Sequence, residues 1–445
     1  MLALAVLALG YFIVTYDWRG RDDARPVDAP AATLAVLPFK PVVAADRDEA
    51  LEFGMADTLI MRLSGIADVA VRPLSSIRGY SALDTDAVAA GRELGVQSVL
   101  DGSVQRSGER LRVTARLLSV TDGRQLWSGR FDERYTDIFA VQDSIADRVT
   151  AALAIKLSAA EQRRLKRRPT GDAVAYDLFL NGRYHWNRRW SPESLPKAIE
   201  YYEQAIARDP EFALVYSGLA DAQALQGVFA MRRPREIYPV APANAERALQ
   251  LDPDLAEAHA TRGHIRLNFV HDWQGALEDF DEAIRHDPRY GMARVWRGLR
   301  LMTVGRSEEG LLEFAAGVEL EPDTTPPVVM YARGLYWARR CGEAAAAIER
   351  VLEVEPGNSL ARALLCAVYT QLRRHDEALS LAGGVAVQTP GGHSLMGVAL
   401  ARAGRAADAR AEAERAVQLA KHRYVPAYDI ASIHAALGDV DRAFL

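Results

Sequence analysis

From residue 198 onward one small residue keeps returning. Ala198, Ala241, Ala276, Gly310, Ala344, Ala378, Ala409 and Ala443 each open an apolar helical stretch. From Ala276 to Ala378 the step is 34 residues each time, the next step is 31, and the last is 34 again. Prolines follow most of these markers, at Pro210, Pro253, Pro288, Pro322, Pro356 and Pro390, and the last four are also 34 apart. Self-similarity at this period constrains the fold severely. Each unit is a helical hairpin that cannot bury its apolar face alone, so the units must stack.

The residue types follow from that geometry. Where two helices of a hairpin cross closely, only Gly, Ala or another small side chain fits. The second helix buries Ala276, Phe280 and Ala283 at i, i+4 and i+7. It ends at Asp-Pro, because proline cannot continue a helix and drives its predecessor out of the α region. Twelve residues before the markers lies a second small position, Gly298, Ala332, Cys366, Gly397 and Ala431, with Gly263 one residue further back. These residues resemble the tetratricopeptide repeat. The resemblance runs from about Asp172 to Leu445 and implies about eight units over 173–445, the last incomplete. The array stops two residues past Ala443. A solenoid end exposes apolar surface unless it is capped, so the expectation is a chain that continues, or an end that is frayed or covered by a partner.

Ahead of the array the pattern changes three times. Met1 to Tyr16 carries no charge and is followed by Tyr16, Trp18, Arg19 and Arg21, which suit a membrane interface. The reading is a transmembrane helix over 1–16 and a polar, proline-marked linker over 17–32. A cleaved signal peptide and a buried core helix are the alternatives, and the absent basic flank before the run also fits a chain that begins inside a longer protein. Residues 33–157 read as a mixed-sheet α/β domain of order β-α-β-α-β-β-β-α. Its strands are TLAVLPF (33–39), VAVRP (69–73), 96–105, 111–120 and 125–131, and its helices span 48–64, 85–94 (capped by Asp84) and 138–157. Ser107-Gly108 and Asp122-Gly123 are the hairpin turns. Residues 158–172 form a basic linker with Arg163, Arg164, Lys166, Arg167 and Arg168, read as a solvated helix end without the aromatics that base stacking needs.

In this domain LAVLPF (34–39), GMADTLIMRLS (54–64), ELGVQSVLDGSV (93–104), LRVTARLLSVTDGRQLW (111–127) and DIFAVQDSIA (137–146) resemble the TolB amino-terminal-like, or FlgO-like, domain of bacterial envelope proteins. One departure is VRPLSS (71–76), where the family carries an Arg-Ser-Ser-like turn, so no loop contact is carried over there. The resemblance implies a non-catalytic domain outside a membrane span and ahead of tetratricopeptide repeats, as in CadC-like regulators. Related chains carry a winged-helix, nucleotide cyclase or protein kinase domain before the span.

Chemistry-bearing patterns are otherwise sparse. The sequence holds no G-x-x-x-x-G-K-[ST], no G-x-G-x-x-G and no G-x-S-x-G. His259, His264 and His271 are spaced by 5 and 7, which does not put two ligands on one helical turn. Cys341 and Cys366 have neither metal nor redox spacing, and a net charge of −5 gives no case for a general polyanion binder. The expectation is therefore no catalytic, cofactor or metal residues and no nucleic-acid binding by this chain. What remains is a groove lined by the first helices of the repeats. Its candidates are His264, Asn268, Met302, Arg333, Tyr336, Trp337 and Gln371, with aromatics beside an Arg as anchor chemistry for a protein or peptide partner; packing between repeats is the other reading of Tyr336 and Trp337. The expected role is a non-enzymatic, single-pass inner-membrane protein, periplasmic in bulk, that binds partners in sensing or regulation. The alternative is the extracytoplasmic part of a transcriptional regulator, adenylate cyclase or protein kinase.

Overall fold

The computed structural model describes residues 32–43, 47–66, 68–165, 168–189, 193–321, 325–386 and 391–444. The apolar run 1–16 and the linker up to residue 31 lie outside the described residues. Among the described residues no helix is long and apolar enough to cross a membrane.

The first part is a mixed sheet with helices. Strands β1 (Ala32–Val36), β2 (Lys40–Pro41), β3 (Val69–Val71), β4 (Ser98–Ser107), β5 (Arg110–Ser119) and β6 (Gln125–Arg134) lie in the order β3-β1-β4-β5-β6, with β2 also on β4. β1 runs parallel to β3 and β4, while β4, β5 and β6 form an antiparallel meander. The sequence sets that division. Parallel neighbours need helical crossovers, and α1 (Glu49–Ser64), α2 (Leu74–Ile77) and α3 (Ala87–Glu93) supply them. The meander needs only tight turns, and Gly108 and Gly123 take the positive φ of 60° and 70° that such turns require. In β5 Leu111, Val113, Ala115 and Leu117 point into the core while the alternate residues face out. The fourth helix, α4 (Ile138–Ala152), packs behind the sheet.

Two details differ from expectation. The cap of α3 is Asp86, whose carboxylate accepts from the amides of Val88 and Ala89 at 2.9 and 3.3 Å, and not Asp84, which lies too early to reach the first turn. α4 stops at Ala152 rather than near residue 157, because Ala154 turns to a φ of +55° and the chain leaves the helix.

After a short helix α5 (Ala159–Leu165), the rest is helical hairpins. They are α6 (Ala173–Asn187) with α7 (Ser194–Arg208), and α8 (Ala213–Val228) with α10 (Ala241–Leu251), the insertion between them carrying α9 (Pro234–Ile237). Next come α11 (Ala256–Ile265), prolonged by a π-helical turn over Arg266–Val270, with α12 (Trp273–His286), and α13 (Gly291–Thr303) with α14 (Ser307–Leu320). Then follow α15 (Thr325–Trp337) with α16 (Cys341–Val354), α17 (Ser359–Gln371) with α18 (His375–Ala386), α19 (Gly392–Arg402) with α20 (Ala406–Ala420), and α21 (Ala427–Leu437) with α22 (Val440–Phe444). Every marker residue lies in a second helix. From α8 to α21 the first helices also pack side by side, so they share one face of the array.

The hairpins close as their small residues demand. A Cβ on Gly298 would sit 2.8 Å from the Gly310 carbonyl oxygen, and one on Gly310 would sit 2.9 Å from the Gly298 carbonyl oxygen. Cys366 occupies the same crossing and donates its thiol to the Ala378 carbonyl at 3.3 Å. Each Asp-Pro ends its helix in the same way: Asp209, Asp252 and Asp287 all leave the α region, at φ near −136°, −142° and −135°. Gly310→Val is expected to destabilise the array by about 1–3 kcal/mol, since the obstacle is backbone that cannot rotate away. Gly342→Ala, whose Cβ would meet nothing within 4 Å, is expected to be neutral or stabilising by up to about 1 kcal/mol. Denaturant titration of the two variants checks the contrast.

Candidate functional site

The strongest concentration of buried polar chemistry lies where the sheet domain meets the first hairpin. α6 lies along α1, and Gly54 makes the approach possible, since a Cβ there would stand 2.6 Å from a Leu180 methyl. The Arg183 guanidinium donates two bonds of 2.8 Å to the two oxygens of Asp57, a fork-to-fork pair in which Asp57 is almost wholly buried. Two turns before Arg183 on α6 the Tyr176 hydroxyl, fully buried, meets the Thr58 hydroxyl and accepts from the Gln142 amide at 3.0 Å. Burial pushes its phenol up to about 12. Tyr184 donates to Glu49, which also takes Arg188 at 2.9 Å. On the other flank Tyr135 donates to Asp177 at 2.7 Å under the Arg106 guanidinium, which lies 3.7 Å above its ring. One hydrophobic core therefore runs unbroken from Leu34 in the sheet to Ala222 in the second repeat. Arg168 of the basic segment is committed to this junction as well, bonding Asp143 at 3.0 Å.

Beside the junction lies a cavity of about 170 Å³ between α1, the segment after β3 and the end of α6. Further along, the Trp186 indole donates to Asp221 at 2.7 Å. Burial pushes that carboxyl up to about 6, against the opposing pull of Arg189. A wider hollow of about 750 Å³ lies among the last two hairpins, with His393, Glu414, His434 and Arg442 on its walls.

The residues singled out for the groove separate into three environments. His264 is buried and stacked on Trp296, with ring centroids 4.7 Å apart and planes 12° from parallel. Burial pushes its imidazole down to about 4. Met302 is half-buried against Gly310 across the hairpin crossing, and Tyr336 is half-buried on the core of the middle repeats. Trp337 is 45% exposed, with the Arg333 guanidinium 6.0 Å from its ring centre. Asn268 and Gln371 are exposed, Asn268 donating to the His264 carbonyl at 2.9 Å. The structure thus brings Arg333, Tyr336 and Trp337 together on one helix end, and leaves His264 inside.

His259 comes together not with His264 or His271 but with Glu282 and His286, their ligand atoms all within 4.8 Å of one another. The spacing Glu282–His286 puts both on one helical turn, a pattern visible in the sequence. Arg285 already supplies the cation there, bonding Glu282 and lying 3.1 Å from His286 Nε2, while His259 Nε2 is held by the Pro253 carbonyl at 2.8 Å. The site as folded is an ion-paired cluster.

Sequence reading passed over Asp57, Thr58, Tyr176 and Arg183. A signal existed: Asp57 and Thr58 fall amid the apolar residues of α1, and the run AYDLFLNGRYHWNRR (175–189) is too rich in aromatic and Arg side chains for a freely solvated helix.

Comparison with known proteins bears on the repeats. Residues 193–230 and 330–393 match the tetratricopeptide repeat family, and the chain carries these repeats. "Putative adenylate cyclase 3" of Rhizobium meliloti (strain 1021) is 30% identical over 275 residues, covering 59% of this chain and 39% of that protein. Hsp70-Hsp90 organizing protein 3 of Arabidopsis thaliana is 26% identical over 103 residues, covering 23% of this chain and 17% of its own length. This chain therefore spans well under two-thirds of either relative. Among solved structures, a tetratricopeptide repeat protein from Parabacteroides merdae ATCC 43184 superposes with a TM-score of 0.40 at 12% identity, over 62% of this chain and 100% of that one.

Two outcomes follow from this geometry. Arg183→Ala strands the buried Asp57 carboxylate and is expected to cost about 3–5 kcal/mol. Adding Asp57→Ala is expected to recover part of that loss, and a double-mutant cycle by denaturant titration measures it. The second outcome concerns acid stability. The folded His264 pKa lies below its ordinary 6.5, so above that pH both states hold a neutral ring and the group contributes nothing. As pH falls from 6.5 towards 4 the unfolded chain takes up a proton that the folded one refuses, and about 3 kcal/mol of stability is lost. Asp221 acts in the opposite sense between 6 and its ordinary 3.8. His264→Phe keeps the stack on Trp296 and is expected to flatten the loss between pH 6.5 and 4 relative to wild type.

Proposed function

We propose that this chain is a non-catalytic interaction module. In this reading the repeats hold an extended peptide or helix of a protein partner, and the sheet domain fixes the array's first hairpin so that the binding face is presented rigidly. The observation that carries the reading is Trp337, large, half-exposed and flanked by Arg333 on the face shared by the first helices. An exposed Trp beside a guanidinium is anchor chemistry for a protein interface. The tetratricopeptide match supports the same reading, as does the likeness to proteins named for organizing Hsp70 and Hsp90.

The finer reading places the module on the periplasmic side of a bacterial inner membrane, held by residues 1–16 and serving sensing or regulation. It rests on the apolar N-terminal run and on the resemblance of residues 33–157 to envelope domains of the TolB amino-terminal-like or FlgO-like type. A second reading is favoured by the 275 residues shared with the Rhizobium meliloti relative. There the same module is the regulatory part of a longer protein bearing a nucleotide cyclase or other output domain. An open reading frame that continues upstream into such a domain would select it.

The groove reading is tested by pull-down from envelope extract with wild type and with Tyr336→Ala plus Trp337→Ala, both checked for fold by circular dichroism. The expected outcome is a partner retained by wild type and reduced at least tenfold in the double variant. Equal capture by both would overturn the assignment to this face.

A further inference from the structure

We infer that the cavity between the sheet domain and the first repeat is a binding site for a small organic carboxylate. Its size sets the class of occupant. About 170 Å³ is room for several waters and suits a metabolite-sized molecule. Phe53, Leu74 and the Tyr184 ring give it apolar walls, Glu49, Ser81 and Asn187 give polar ones, and Arg78 and Arg188 bring guanidinium groups from two different parts of the fold.

Charge accounting around the cavity leaves one cation over. Arg188 is paired with Glu49 at 2.9 Å and lies 4.1 Å above the Tyr184 ring. Glu49 is also taken by the Tyr184 hydroxyl, Glu52 by Arg47 at 3.2 Å, and Asp57 by Arg183 at 2.8 Å. Each of these three carboxylates is thus engaged. Arg78 has no ion pair within 4.0 Å and no hydrogen bond among the described residues. Burial pushes its guanidinium down from the ordinary value, Arg188 and Arg183 press in the same direction, and Glu355 of the fifth hairpin and Asp57 resist only from a distance. A half-buried cation without a counter-ion is costly, and an anion in the cavity removes that cost.

The chemistry selects among anions. The guanidinium is a planar fork that matches a carboxylate with two parallel bonds. The apolar walls favour a short hydrocarbon or aromatic tail over a strongly hydrated inorganic ion. Because Arg78 belongs to the sheet domain and Arg188 to the first repeat, an occupant would bridge the two. This inference stands independently of the partner groove, whose anchor residues Arg333, Tyr336 and Trp337 lie on α15.

Isothermal titration of the full-length chain with benzoate, benzamide and inorganic phosphate tests it. The expected result is saturable one-to-one binding of benzoate, at least tenfold weaker binding of the isosteric but neutral benzamide, and at least tenfold weaker benzoate binding by Arg78→Gln. Leu74→Phe, which fills the cavity from its apolar side and leaves every charge in place, is expected to abolish binding, and it tests the site even where the Arg78 variant folds poorly. No saturable benzoate binding by the wild-type chain would overturn the inference, as would unchanged affinity in Arg78→Gln. Phosphate binding in place of benzoate would overturn the ligand class.

Discussion

The contact between α1 and α6 is the constraint on which the rest of the structure depends. A buried carboxylate such as Asp57 is tolerable only if an opposite charge arrives with good geometry, and Arg183 arrives from 126 residues away along the chain. Around that pair the buried Tyr176 hydroxyl meets the Thr58 hydroxyl and accepts from the Gln142 amide, whose own oxygen has no partner among the described residues. A sheet and a helical array are thereby joined in a single core. The sheet domain supplies a fixed first layer, and the array grows from it hairpin by hairpin.

Beyond that layer the physics is repetitive. Hairpins close where small residues let the helices approach, seen most plainly where Gly298 meets Gly310, and the first three end at an aspartate held extended by the proline that follows. Departures from the period take local forms that leave the stacking intact. The extra residues of the second unit fold into the short helix Pro234–Ile237. In the third, the π-helical turn over Arg266–Val270 hands the chain to α12 through His271 in the left-handed region.

The same junction concentrates charge in a confined space. Arg47, Arg78, Arg183 and Arg188 crowd against Glu49, Glu52 and Asp57, and among the described residues the pairing is complete but for Arg78. Such an imbalance is unremarked in the net charge of −5, because that figure averages over the whole surface. It matters only where low polarity keeps neighbouring charges from being screened.

The repeats were legible in the sequence because their constraint is local: a crossing point needs a small residue, and a helix stop needs proline, whatever lies elsewhere. The mixed sheet was legible for the same reason, from continuous apolar runs, alternation in β5 and glycine at two turns. Helix ends were less so: the cap of α3 is Asp86, because Asp84, two residues earlier, lies too far ahead of the helix to reach its first turn. The groove residues were placed by register alone, which fixes the helix a residue belongs to and its rough direction. Register could not decide that His264 stacks inward on Trp296 while Trp337 stays half in solvent, since that depends on which neighbour's ring arrives. What the sequence by itself determined was the kind of units and their order. Only the tertiary structure decided that the two parts share a core, that Asp57 meets Arg183 and that Arg78 is left over among the described residues, because each of these is a long-range coincidence of charge and burial that no periodicity encodes.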